Sequence, residues 1–133
     1  MSNYEKWWYT NIYKSAVIGD FTSIGSYTEI GENVKIGSNC RIGAHCFIPE
    51  GVTIGNDVFV GPCVCFTNDK FPPSGKENWK ETYISSGASI GAGCVILPGV
   101  TVGPKALIGA GSVVTKSVPE AEVWCGNPAR KME

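Results

Sequence analysis

Residues 28–61 read TEIGENVKIGSNCRIGAHCFIPEGVTIGNDVFVG. A branched apolar residue returns at Ile30, Ile36, Ile42, Ile48, Ile54 and Val60, every sixth position. That period fits neither the turn of an α-helix nor the alternation of a plain strand. It fits a solenoid whose flat sides are about six residues long and turn at each corner. Outward from this stretch the phase holds: Ile12, Ile18, Ile24, Ile84, Ile90, Ile96, Val102, Ile108 and Val114 all keep it, as does Phe66. Two residues before each of these stands a small or β-branched residue, such as Thr22, Thr28, Val34, Cys40, Cys46 or Val52. Positions two apart on a strand face the same way, so both point inward. Three residues after the large one come Asn33, Asn39, Gly51, Asp57, Gly93 and Gly99, which tolerate left-handed backbone and mark corners.

The rest of the composition agrees. The chain has 133 residues, 43% of them hydrophobic, enough for one packed domain spanning 1–133. Seventeen glycines call for many turns, and β-branched residues far outnumber leucine, so an all-β fold is expected. Charged residues are 17% and the net charge is −1, which argues against a nucleic-acid partner held through phosphates. No apolar run approaches the ~20 residues of a membrane span, and residues 1–15 show no apolar leader. A cytoplasmic protein with no membrane partner is expected.

The repeat is interrupted once, by TNDKFPPSGKENWKETY at 67–83. Phe66 and Ile84 are three hexads apart, so the insertion is expected to replace about one coil without breaking phase. Pro72, Pro73 and Gly75 make it a loop excursion, the usual place for function on a regular scaffold. Tyr4, Trp7, Trp8, Tyr9 and Tyr13 within 1–14 are expected to cap the open end of the solenoid, or else to form a stacking platform. Residues 115–133 form a C-terminal tail. Outward apolar residues suggest an interface, with Phe47 and Cys65 on one side and Phe59, Val95 and Val113 on another.

His45 is the sole histidine and sits at a corner, where the fold does not require its bulk. Its imidazole is suited to general-base work near neutral pH, which makes it the candidate catalytic residue; otherwise it is a solvated corner residue. Asn68 and Asp69 open the loop. An amide and a carboxylate there could hold a sugar hydroxyl and a cationic amine, or simply form a turn. Glu50 lies close by in sequence and could orient His45 or contact substrate, or be a solvated turn residue. Cys40, Cys46 and Cys94 occupy the small inward slot, Cys63 a corner, Cys65 an outward position and Cys125 the tail. Their spacing matches no zinc pattern, so no metal and no disulfide is expected.

The runs IGENVKIGSNCRIG, VTIGNDVFVGP and ASIGAGCVILPGVTVGPKALIGAGSVVTKSVP resemble the hexapeptide-repeat acyltransferases over roughly residues 12–130. The resemblance implies a left-handed parallel β-helix, three hexads to the coil and about five coils here. Parallel crossovers are normally right-handed, so the hand comes from the resemblance and not from general physics. VFVGPCVCFTND, a loop, and then GASIGAGCVILPGV look like the branch that N-acetylates nucleotide-linked amino sugars for surface polysaccharides. SVVTKSVP with GNPAR is shared by coenzyme A-dependent members, so acetyl-CoA is the implied acyl donor. On this resemblance the cofactor-contacting positions are Ala92, Gly93, Ala110, Gly111, Thr115, Lys116 and Arg130, and the assembly is a homotrimer with sites at subunit boundaries. In the amino-sugar branch the position of His45 is one where an active-site Asn is expected, and His45 departs from it. The O-acetyltransferase branch places a catalytic His before the loop proline, where this chain has Phe71. The alternatives are a sugar or small-alcohol O-acetyltransferase and a non-catalytic scaffold.

Overall fold

A computed structural model describes residues 2–133. Short parallel strands wind into a triangular solenoid, and each hexad supplies one side. The first face stacks Glu5–Lys6, Ser23–Ile24, Arg41–Ile42, Phe59–Val60, Ser89–Ile90, Leu107–Ile108 and Val123–Gly126. The second stacks six strands from Asn11–Ile12 to Val113–Val114. The third stacks five, from Val17–Ile18 to Thr101–Val102, and the Val102–Val118 bridge extends it. This is the architecture of the implied β-helix, with about seven turns in place of the expected five. The two additional turns come from the ends. Residues 5–12 already pair as strands with the next coil, and Tyr4 packs against the core. At the other end, Val123–Gly126 pairs parallel with Leu107–Ile108. The chain then reverses so that Ala129–Lys131 closes that edge antiparallel, with Ala129 buried.

The large inward residues stack as columns. Ile24, Ile30, Ile48, Phe66, Ile90 and Ile96 are wholly buried, each worth roughly 1.5–3 kcal/mol of burial. The small slot accepts polar groups where they are paired. The Thr22 and Thr28 hydroxyls donate to the Gly37 and Gly43 carbonyls at 2.6 and 2.9 Å and accept from the Cys40 and Cys46 amides. Cys40, Cys46 and Cys94 are buried, and burial pushes their thiols up from the ordinary cysteine range. Each thiol points at a carbonyl of the next coil: Gly55, Gly61 or Gly109.

The insertion differs from the expectation. Cys65–Phe66 lies on the second face and Thr82–Ile84 on the third, paired with Val52–Ile54 one coil earlier. No coil is replaced. The whole excursion leaves from a single corner, because a loop can lengthen at a corner without disturbing the hydrogen bonds of either face. The corner residues carry the extra length, so side assignments by counting hexads fail beyond it. Val95 and Val113 therefore stand on the same face as Phe47 and Cys65, in register Phe47–Cys65–Val95–Val113, and Phe59 lies on the first face above Arg41.

Candidate functional site

Two corner columns carry the residues singled out above. The column between the first and second faces runs Tyr9, Tyr27, His45, Cys63, Gly93 and Gly111, each tied to the coil below through its amide. His45 N–H, for instance, donates to the Ser26 carbonyl at 2.9 Å. All six adopt left-handed backbone, with φ between 58° and 72°. His45 is exposed and its ring stacks on Tyr27, centroids 5.0 Å apart and planes 11° off parallel. Tyr27 in turn stacks on Tyr9 at 5.2 Å. Farther along, the corner opens. A side chain at Gly93 or Gly111 would meet nothing within 4 Å, and Ala92 and Ala110 are exposed beside them. The fold thus sets His45 in line with four of the cofactor candidates.

The column between the second and third faces holds Glu50, Asn68, Thr115 and Lys116, at equivalent steps after Ile48, Phe66 and Val114. Asn68 Nδ2 donates to the Glu50 carbonyl at 3.0 Å, and Lys80 N–H donates back to the Asn68 carbonyl at 2.9 Å, which pins the base of the loop. Thr82 N–H donates to the carbonyl of Gly51, whose φ of 104° requires glycine. The Glu50 carboxylate pairs with Lys76 at 3.2 Å and makes no contact with His45; the second face separates the two columns. Arg130 stands in the terminal hairpin, apart from both.

Asp69 faces its own loop. One carboxylate oxygen accepts from Ser74 Oγ at 2.6 Å and Phe71 N–H at 3.2 Å, and the other from Ser74 N–H at 2.9 Å. The Ser74 hydroxyl first, then the amides, hold its carboxyl below the usual carboxylate range. A group whose folded pKa is depressed contributes order that is present above its unfolded pKa and is lost as pH falls through the folded value. The clasp is therefore intact at neutral pH and opens only in acid, below the ordinary carboxylate range. Asp69→Asn is expected to raise amide exchange at Ser74 and Phe71 by about tenfold at neutral pH, the effect of losing one charge-assisted hydrogen bond. Exchange unchanged from wild type would rule out the clasp.

Between the loop and the third face lies a groove of about 520 Å³, bordered by Asn33, Lys35, Glu50, Trp79, Lys80 and Glu81. Lys76, held by Glu50, places its ammonium 5.8 Å from the Trp79 ring centroid. Lys35 and Lys80 have no ion-pair partner among the described residues. None of these lysines, nor Trp79, was singled out in the sequence, because only the folded loop brings them over the third face. Tyr9 and Tyr27 were legible in principle: their 18-residue spacing with His45 equals one coil. No described helix is long and apolar enough to cross a membrane.

Several solved structures share the fold. PerB from Caulobacter crescentus, solved with CoA and GDP-perosamine, superposes with a TM-score of 0.82 at 21% identity, over 93% of this chain and 54% of that one. The acetyltransferase domain of PglB from Neisseria gonorrhoeae gives 0.81 at 19% identity, over 92% and 54%. AntD from Bacillus cereus, an N-acyltransferase solved with dTDP and coenzyme A, gives 0.82 at 20% identity, over 98% and 82%. The chain thus spans about half the length of the first two. No curated protein matches in sequence. The family profile described as bacterial transferase hexapeptide (six repeats) matches residues 15–50 and 81–116, on both sides of the inserted loop and over more than half of the chain. On that match, and on the coils that bear it out, the chain belongs to the bacterial transferase hexapeptide family.

Proposed function

We propose that the protein is an acetyl-CoA-dependent N-acetyltransferase acting on the amino group of a nucleotide-linked amino sugar. The observation that carries this reading is the first corner column, where the sole imidazole stands in line with the open glycine corners at Gly93 and Gly111. Family membership supports an acyl transfer, and the shared fold of proteins solved with CoA and with GDP-perosamine or dTDP supports the substrate class. The pantetheine arm would run along Ala92, Gly93, Ala110 and Gly111, with Thr115, Lys116 and Arg130 toward its phosphates. The groove under the loop, with Trp79 and the unpaired Lys35 and Lys80, suits the nucleotide. Asn68 tethers that loop and Asp69 clasps it.

In the reaction the amine nitrogen attacks the thioester carbonyl, the C–N bond forms and the C–S bond breaks. His45 takes the proton released by the amine and returns it to the departing thiolate. The two columns lie on opposite edges of the second face, and that face carries the apolar stripe Phe47–Cys65–Val95–Val113. A homotrimer packed through this stripe would bring the first column of one copy and the second column of another to a shared boundary. Acetyl-CoA and nucleotide sugars are cytoplasmic substrates, and the product would serve surface polysaccharide synthesis.

Calorimetric titration tests the reading. Acetyl-CoA is expected to bind at one site per chain, and to be consumed on addition of one member of a panel of GDP- and dTDP-linked amino sugars, GDP-perosamine included. Turnover confined to acceptors bearing only hydroxyls would turn the reading into O-acetylation. No binding of acetyl-CoA would leave a scaffold.

A further inference from the structure

We infer that Tyr27 is the positioning residue for His45, holding the imidazole plane by stacking where no carboxylate does so. The inference rests on the transferase reading and on His45 as its base. Three facts on the first corner column lead to it. The His45 side chain makes no hydrogen bond to any described residue, and its nearest carboxylate in sequence, Glu50, is bound to Lys76 across the second face. Its ring lies 5.0 Å from that of Tyr27 and only 11° from parallel, and Tyr9 buttresses Tyr27 from the other side at 5.2 Å. Those separations are close to the rise of one coil, the ~4.7–4.9 Å between hydrogen-bonded strands, so the repeat itself sets the stack. The column also keeps bulky aromatic residues at φ of 58°, 63° and 60°, a conformation that asparagine or glycine adopts at lower cost. Glycine does occupy it farther along, at Gly93 and Gly111. Three aromatic rings in succession at strained corners are not required by the fold.

The consequence is specific. An exposed histidine ring at a corner turns freely about its side-chain bonds, and its nitrogens sample many directions. Stacked on Tyr27, the ring keeps one plane and both nitrogens stay on its edge, available to substrate. The ladder stops at His45, because the next residue in the column, Cys63, carries no ring. One face of the imidazole is thus packed and the other is turned toward the glycine corners.

The test compares Tyr27→Ala and Tyr27→Phe with wild type and His45→Ala, using acetyl-CoA with the acceptor found in the nucleotide-sugar panel. Tyr27→Ala is expected to lower kcat about tenfold with KM for both substrates within twofold, and Tyr27→Phe to restore kcat to within twofold. The sole histidine gives a single set of imidazole proton resonances. Its ring-current displacement should vanish in Tyr27→Ala and persist in Tyr27→Phe. Full kcat in Tyr27→Ala despite a lost ring-current displacement would overturn the inference while leaving His45 as base. Equal losses in the Ala and Phe variants would also overturn it, by assigning the effect to the hydroxyl. Undiminished turnover in His45→Ala, or no turnover with any acceptor, would remove the underlying reading and the inference with it.

Discussion

Replacing His45 by alanine lowers kcat by about 10²–10⁴-fold, the range for loss of a positioned general base, with little change in affinity for acetyl-CoA. The size follows from the lack of any substitute: the chain has one histidine, and the nearest titratable corner neighbour in the column is the Cys63 thiol. The left-handed corner complicates the alanine variant, because φ is 60° there. His45→Asn separates the two effects. Asparagine tolerates that backbone but takes up no proton, so its kcat should fall as far while its melting temperature stays near that of wild type. Steady-state kinetics and a thermal melt on the same preparations read both. A loss of only a few-fold in both variants would exclude His45 as the base and leave the amine to deprotonate by other means.

Gly43→Ala is expected to be the most damaging single methyl group in the coils around the site. An added Cβ would sit 2.5 Å from the Pro62 nitrogen and 2.7 Å from its Cα, well inside van der Waals contact. Neither backbone can yield. Gly43 N–H donates to the Val60 carbonyl at 2.8 Å and Cys63 N–H donates to the Ala44 carbonyl at 2.9 Å, so coil spacing is fixed on both sides of the clash. Overpacking typically costs 1–3 kcal/mol, and a clash of backbone on backbone belongs at about 3 kcal/mol or above. That corresponds to a fall in melting temperature of about 10 °C or more. Gly93→Ala is the control on the same column. Its added methyl meets nothing within 4 Å, and only the strain of a positive φ remains, about 1 kcal/mol. Equal losses in the two variants would show that backbone conformation and not close approach demands glycine at position 43. The clash also lies beside His45, so Gly43→Ala should lower kcat along with stability.

The six-residue period was enough to determine the solenoid, its inward Ile and Val columns, its small slot and its corners. Each of these is a local demand that a residue satisfies by itself: a branched side chain to fill the core, a small one beside it, a residue tolerant of positive φ at the turn. The same counting located His45 at a corner and the glycines Gly93 and Gly111 at others. It could not see where the insertion leaves the coil, because residues 67–83 follow no period. It therefore misplaced Val95 and Val113 and counted a coil as lost. Nor could it show that Asp69 folds onto Ser74, that Glu50 engages Lys76 and not His45, or that Trp79, Lys35 and Lys80 border one groove. Those relations join residues from different coils and from a loop whose path is set by its own hydrogen bonds. The stacking of Tyr9, Tyr27 and His45 falls between the two cases: an 18-residue spacing written in the sequence becomes a ring-on-ring contact only because the coils are stacked at hydrogen-bonding distance.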